Sequence, residues 1–207
     1  NRASGKTGRA VARACHVRGA DVTLVHDGGD VHYADTVIVE SAAEMRDAVL
    51  AAVGGDGASS DGASNDGDGS DGDGGANAEA DALVSAAAIS DYTVSTADEK
   101  LRSGESRTLE LEPTPKLIDD VREAHPTLPI VGFKAETSGD DGKMIDAARG
   151  ILERSDLTFV VANDASVMGA DETRTLFVDA DDADEFRGTK TALGGEIAAR
   201  LATVLRG

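Results

Sequence analysis

Residues 1–8 read NRASGKTG, with two glycines, hydroxyls at Ser4 and Thr7 and a cation at Lys6, and they run straight into a helical pattern. Such a turn leaves backbone N–H groups free at a helix start, where partial positive charge collects, and the combination cradles phosphate. A second candidate is the run ALVSAAAIS followed by Asp91 and Tyr92, where small residues would let a ligand approach the backbone closely. Lys100 lies in the polar stretch beyond it, and TPKL (Thr114, Pro115, Lys116, Leu117), VGFKAET with Phe133, and VVAND with Asn163 and Asp164 complete the polar segments that could do chemistry. The four histidines, His16, His26 and His32 among them, have no metal-ligand spacing and are expected at the surface or in satisfied packing.

Stepping along the chain gives the elements that must hold these groups. AVARACHVR has Ala10, Val11, Ala14 and Val17 at helical spacing and stops at Gly19, and DVTLV and TVIV read as strands. SAAEMRDAVLAAV opens with a capping Ser41 and a Glu three residues later, the reciprocal N-terminal cap of a helix. Further strands are expected at 82–88, 107–111, 130–133, 157–162 and 175–179, and further helices from Pro115, over 143–154 and over 190–205. Strands alternating with helices imply parallel pairing through crossovers, and continuous apolar strands imply cover on both faces. The fold class is therefore α/β, a doubly wound, mostly parallel sheet with helices on both faces, in which ligands bind beyond the strands' carboxyl ends. A strand is expected ahead of residue 1.

The 207 residues carry a formal charge of −19, from 20 Lys and Arg against 39 Asp and Glu. That field argues against nucleic-acid partners and anionic membranes, and no apolar run is long enough to span a bilayer. Lack of a basic and apolar leader favours the cytoplasm. The single cysteine, Cys15, is read as packing. The dispersed acidity resembles adaptation to concentrated salt, so a halophilic, haloarchaeal source is expected. From about 54 to 78 the chain is almost purely Gly, Asp, Ser, Asn and Ala, a solvated insert within one domain covering 1–207. Asp66, Asp68, Asp71 and Asp73 invite a calcium reading, but no terminal bidentate Glu follows.

NRASGKTG, RGADVTLV, AAAISDY with Lys100, TPKL, VGFKAET and VVANDAS occur in the order that resembles phosphopantothenate–cysteine ligase, the synthetase half of the bifunctional coenzyme A biosynthesis protein. The resemblance implies a Rossmann-like sheet and a two-step ligation. CTP activates the 4′-phosphopantothenate carboxylate as an acyl-nucleotidyl anhydride with loss of pyrophosphate, and the cysteine amine then displaces CMP. It also implies magnesium, with ligands left open, and a homodimer held by a small β arm somewhere in 91–112. FMN is implied only if a phosphopantothenoylcysteine decarboxylase is fused upstream.

Residue by residue, the resemblance places Asn1 on the activated carboxyl, as a donor to its oxygen, with helix capping as the alternative. Ser4, Gly5, Lys6 and Gly8 would form the phosphate loop, where the family has two serines and this chain has Ala3-Ser4. Ala87, Ala88 and Asp91 would hold the nucleotide, Asp91 through ribose or magnesium unless it only caps a turn. Lys100 would lie on a flap closing over the triphosphate, or stand simply solvated. Thr114 to Leu117 replace the family's Asn-Pro-Asp-Ile near the base, and Phe133 would pack on the base unless it is plain core. Glu136 would orient its loop. Asn163 and Asp164 would line the phosphopantothenate side or form a turn. Two family lysines fall at Ile151 and Ser155, with Arg149 and Arg154 nearby as replacements.

Other readings remain open on the residues alone. SGKT resembles the end of a Walker A loop, though no strand ends in a firm magnesium-binding Asp. An NAD(P)-dependent oxidoreductase of similar fold would need GxGxxG, where only Gly5 and Gly8 are present, and an acid after the second strand, where Asp27 stands. A non-catalytic partner domain would make the acidic insert the working part.

Overall fold

In a computed structural model, residues 5–55, 79–94, 104, 108, 110–137, 140–164 and 172–207 are described. The acidic tract 56–78, with its calcium-like aspartates, lies outside them. The elements follow in the order α1 (Lys6–Val17), β1 (Thr23–His26), β2 (Asp35–Ile38), α2 (Ala42–Val53), β3 (Leu83–Ser85), β4 (Tyr92–Val94), β5 (Leu111–Pro113), α3 (Leu117–Ala124), β6 (Ile130–Glu136), α4 (Asp141–Arg154), β7 (Phe159–Asp164), β8 (Glu172–Val178), β9 (Ala183–Thr189) and α5 (Lys190–Val204).

Five strands form one mixed sheet in the order β3-β6-β7-β8-β9, parallel from β3 to β7 and antiparallel thereafter. β1 and β2 pair parallel to each other, and β4 and β5 form a separate antiparallel ribbon. Alternation along the central strands divides the core in two. Ile130, Val160, Ala162, Leu176 and Val178 face α2, α3 and α4. Val131, Phe159, Val161 and Phe177 face α1 and α5. A strand buried on both sides reads as an unbroken apolar run, which is how 157–162 looked in the sequence.

The local signals explain the helix starts. Ser41 accepts from the Glu44 N–H at 3.1 Å while Glu44 returns a bond to the Glu40 N–H at 2.8 Å, the reciprocal cap expected. Helix α3 begins at Leu117 rather than Pro115, because Pro115 and Lys116 form the approach turn. In α1 the buried residues are Val11 and Ala12, whereas Val17, also at helical spacing, is 75% exposed in the last turn. Cys15 is half-buried against the α1–α5 core, and burial pushes its thiol up, in keeping with a packing role.

Four strands depart from expectation: β4 was not expected, and the strand expected at 107–111 overlaps β5 only at Leu111. The strand expected at 82–88 covers only Leu83–Ser85, leaving Ala87 and Ala88 exposed beyond its carboxyl end. Strand β9 has no counterpart in the sequence reading: only Ala183, Phe186 and Gly188 of ADEFRGT are half-buried, the rest being polar and exposed at the sheet's edge.

Candidate active site

The segment expected to hold phosphate enters α1 through Gly5, whose φ of 62° is a left-handed conformation that favours glycine. Among the described residues no side chain caps this helix and its first turn holds no acid, which leaves its N–H groups and dipole open to an anion there. A methyl on Gly8 would sit 3.8 Å from Ala86 Cβ, which places the first turn of α1 against the carboxyl end of β3. The glycine loop and the small-residue run, 78 positions apart in sequence, thus share one rim.

Three more segments meet beside them. Asp91 accepts the Thr114 N–H on its carbonyl at 3.0 Å, and its carboxylate Oδ1 takes the Lys116 ammonium at 2.9 Å. Bonding to Lys116 above all, with Lys134 adding to it, holds the Asp91 carboxyl below the usual range. The AAAISDY, TPKL and VGFKAET segments are therefore tied electrostatically at one place. Lys134 pairs with Glu136 at 3.3 Å. Thr114 is buried, with no partner for its hydroxyl among the described residues, and Leu117 is core. Phe133 is half-buried and packs on the α1–α5 side, so its ring is fixed from beneath by the core.

Asn163 and Asp164 belong to the end of β7 itself, in register with Ala135 and Glu136 of β6, so a purely turn-forming role is set aside. The Thr175 hydroxyl donates to Asn163 Oδ1 at 2.8 Å, and buried Asp164 receives Arg174 at 3.5 Å. Sequence reasoning passed over Arg174, which also binds Asp141 and takes Glu185 at 3.2 Å. Its alternation with Leu176 and Val178 was the available signal, since a cation at a core-facing strand position demands anionic partners.

Arg154 is not on this rim. It ends α4, which leads into the amino end of β7, on the opposite edge of the sheet, and neighbouring Ser155 donates to Asp119 at 3.1 Å. Asn1, Ser4 and Lys100 lie outside the described residues.

His26 is a correction. It ends β1 and is only 9% exposed, with no partner for either ring nitrogen among the described residues, where surface placement or satisfied packing was expected. His32 is exposed, its ring 5.3 Å from Tyr33 edge to face. Among the described residues no group of three or more His, Cys, Asp or Glu is placed to hold a metal ion, and no helix is long and apolar enough to cross a membrane.

Residues 1–59 and 75–205 match the model of the DNA/pantothenate metabolism flavoprotein C-terminal domain, the break falling within the acidic insert. The chain is 37% identical over 197 residues to the coenzyme A biosynthesis bifunctional protein CoaBC of Thermococcus kodakarensis, covering 93% of this chain and 43% of that protein. Against the protein of the same name from Mycobacterium tuberculosis it is 34% identical over 229 residues, covering 100% and 48%. The chain thus spans about half the length of these curated relatives. Among solved structures, a DNA/pantothenate metabolism flavoprotein from Streptococcus pneumoniae superimposes with a TM-score of 0.76 at 18% identity, over 99% of this chain and 90% of that one. The C-terminal domain of a CoaBC protein gives 0.72 at 23% identity, over 100% and 85%. These two likenesses bear on the fold.

Proposed function

Because the chain belongs to the family of the DNA/pantothenate metabolism flavoprotein C-terminal domain, we propose that it is a phosphopantothenate–cysteine ligase acting in coenzyme A biosynthesis. The observation that carries this reading is the packing of Gly8 against Ala86, which sets the start of α1 beside the small-residue end of β3 at the ligand-binding rim.

A carboxylate is a poor acyl donor, since its oxygen leaves badly and its charge repels a nucleophile. In the reaction proposed, a carboxylate oxygen of phosphopantothenate attacks the α-phosphorus of CTP and the bond to pyrophosphate breaks. The cysteine amine then attacks the acyl carbon, sheds a proton, and the C–O bond to CMP breaks. Gly5, Lys6 and Gly8 hold phosphate oxygens with Ser4, and Asn1 donates to the acyl oxygen as charge grows there. Lys100 offsets charge on the departing pyrophosphate. Ala87, Ala88 and Asp91 border the nucleotide, Lys116 and Phe133 its base end, and Asn163 and Asp164 the phosphopantothenate side.

Magnesium would supply charge shielding to the polyphosphate. Among the described residues no group of three or more His, Cys, Asp or Glu would cage it, Asp91, exposed beside Lys116, is the side chain that would lie nearest the nucleotide phosphates in this reading, and no residue's role above depends on the ion.

The protein works as a homodimer. The β4–β5 ribbon supports this: Val94 pairs with Leu111, Tyr92 lies two residues along on the same face, and they are 45%, 61% and 58% exposed. The relatives are named bifunctional and this chain spans about half their length, which supports a second catalytic part in the same polypeptide; in this reading it is the decarboxylase, and FMN would belong to it.

The deciding experiment incubates the intact parent protein with phosphopantothenate, cysteine, magnesium and either CTP or ATP. Pyrophosphate release that requires phosphopantothenate and is faster with CTP is the expected result, with acyl nucleotide accumulating in an Asn1→Asp variant. Release indifferent to phosphopantothenate would overturn the assignment.

A further inference from the structure

Strand β1 places Val25 against the α2-side core, so alternation turns the next residue, His26, to the opposite face, beneath α1. A structural histidine in that position recovers the cost of burial through at least one hydrogen bond. Neither nitrogen of His26 does so among the described residues, although the side chain is more than nine-tenths buried.

The ring lies directly against the backbone of Gly28 and beside Arg9. A methyl on Gly28 would stand 2.7 Å from His26 Cε1, 2.8 Å from Nδ1 and 3.2 Å from Arg9 Nη1. Gly28 is absent from the glycines with positive φ, so it is the space rather than the backbone that calls for glycine here. Arg9, on α1, reaches back as well: its Nη1 lies 3.5 Å from where a methyl on Gly5 would be. One guanidinium therefore borders both the glycine turn after β1 and the glycine that starts α1. Arg9 and Asp27 each have a further interaction, and the five N–H donors of Arg9 allow more than one.

We propose that His26 and Arg9 form a phosphoryl-oxygen subsite at the carboxyl end of β1, continuous with the helix-start loop and occupied by a phosphate ester of one substrate. Imidazole N–H, guanidinium and helix-start amides are all donors, and their common complement is a compact, multiply charged oxyanion. The subsite rests on the ligase reading only in the choice of ligand. CTP and phosphopantothenate both bring phosphate, one as a triphosphate and the other as a monoester.

The test measures calorimetric affinities of the full-length protein for CTP, 4′-phosphopantothenate and inorganic pyrophosphate, with ligand-free thermal midpoints alongside. His26→Phe keeps the ring's bulk and removes both nitrogens, and His26→Gln restores a donor. The expected result is about a tenfold loss of affinity in H26F with an unchanged or raised ligand-free midpoint, largely recovered in H26Q. Loss for CTP and pyrophosphate places the triphosphate at the subsite, and loss for phosphopantothenate alone places the monoester there. Should H26F not fold, Gly28→Ala, whose methyl would stand 2.7 Å from His26 Cε1 and so must displace the ring, gives the same readout. Unchanged affinities for all three ligands overturn the proposal, as does a wild-type protein that binds none of them, or an H26F loss that only follows a lowered midpoint and is not recovered in H26Q. Failure of the ligase reading would show separately, as absent phosphopantothenate-dependent pyrophosphate release with pyrophosphate binding still sensitive to His26.

Discussion

The Lys116 ammonium stands 2.9 Å from Asp91 Oδ1 across 25 residues of sequence, joining the turn before α3 to the loop after β3. Both side chains are well exposed, 61% and 80%, so solvent screens the pair and its worth to stability is small. Its effect is on where the two charges sit. In Lys116→Ala the Asp91 carboxyl should titrate nearer its usual 3.8, observed by NMR, with the thermal midpoint scarcely moved. KM for the nucleotide should rise roughly threefold to tenfold, as expected when one exposed contact is lost.

Arg174 has a different weight. Its side chain is 12% exposed and serves Asp164, Asp141 and Glu185 at once, so Arg174→Leu leaves Asp164 buried without that cation. A loss of roughly 1–3 kcal/mol in urea unfolding is expected at neutral pH. Arg174→Lys should recover only part of it, since one ammonium cannot span three acceptors. Bonding to Arg174 first, and then to Arg187, holds the Glu185 carboxyl below its usual 4.5, so its contribution is present above that value and is lost as pH falls through the lower folded-state value. Acid should therefore cost the wild type more stability in that window than it costs the Arg174→Leu variant.

These two residues also mark what a sequence can disclose. Continuous apolar runs give β6 and β7, and Ser41 with Glu44 gives the start of α2, because each signal is local and each was met by the contact it implies. The rim motifs were legible as motifs, and the structure adds the pairings: Gly8 with Ala86, Asp91 with Lys116, Asn163 with Thr175. Strand β9 escaped because an edge strand buries too little to leave an apolar pattern. Arg174 and His26 escaped because their roles depend on partners, present or missing, that only the fold brings near or keeps away.

For the ribbon, one cross-strand pair makes the proposed dimer testable. Leu111 and Val94 sit opposite each other and both are exposed, so a charge at either position faces whatever covers them. Leu111→Glu should yield a monomer by sedimentation in an otherwise folded protein, because burying an unpaired carboxylate in an apolar contact costs more than a small interface returns. A dimer that survives both Leu111→Glu and Val94→Glu would place the interface elsewhere.

Helix α5 reaches the site through its contact with α1. A methyl on Gly194 would come within 2.6 Å of the Ala10 carbonyl carbon and oxygen, which are backbone atoms and cannot rotate aside. The next residue, Gly195, has nothing within 4 Å of the equivalent position. Gly194→Ala must therefore push α1 outward, at a cost of about 1–3 kcal/mol, and α1 carries Gly5 and Gly8 at its leading end. Gly195→Ala should instead stabilise the helix by roughly 0.5–1 kcal/mol through the lower conformational entropy of the unfolded chain. If the seating of α1 on the sheet edge positions the phosphate loop, nucleotide affinity should fall several-fold in Gly194→Ala and stay at the wild-type value in Gly195→Ala, both read by calorimetry at a temperature where each variant is folded. Equal affinities in the two variants, with only the stabilities diverging, would mean that the loop is held by its own turn and not by the helix behind it.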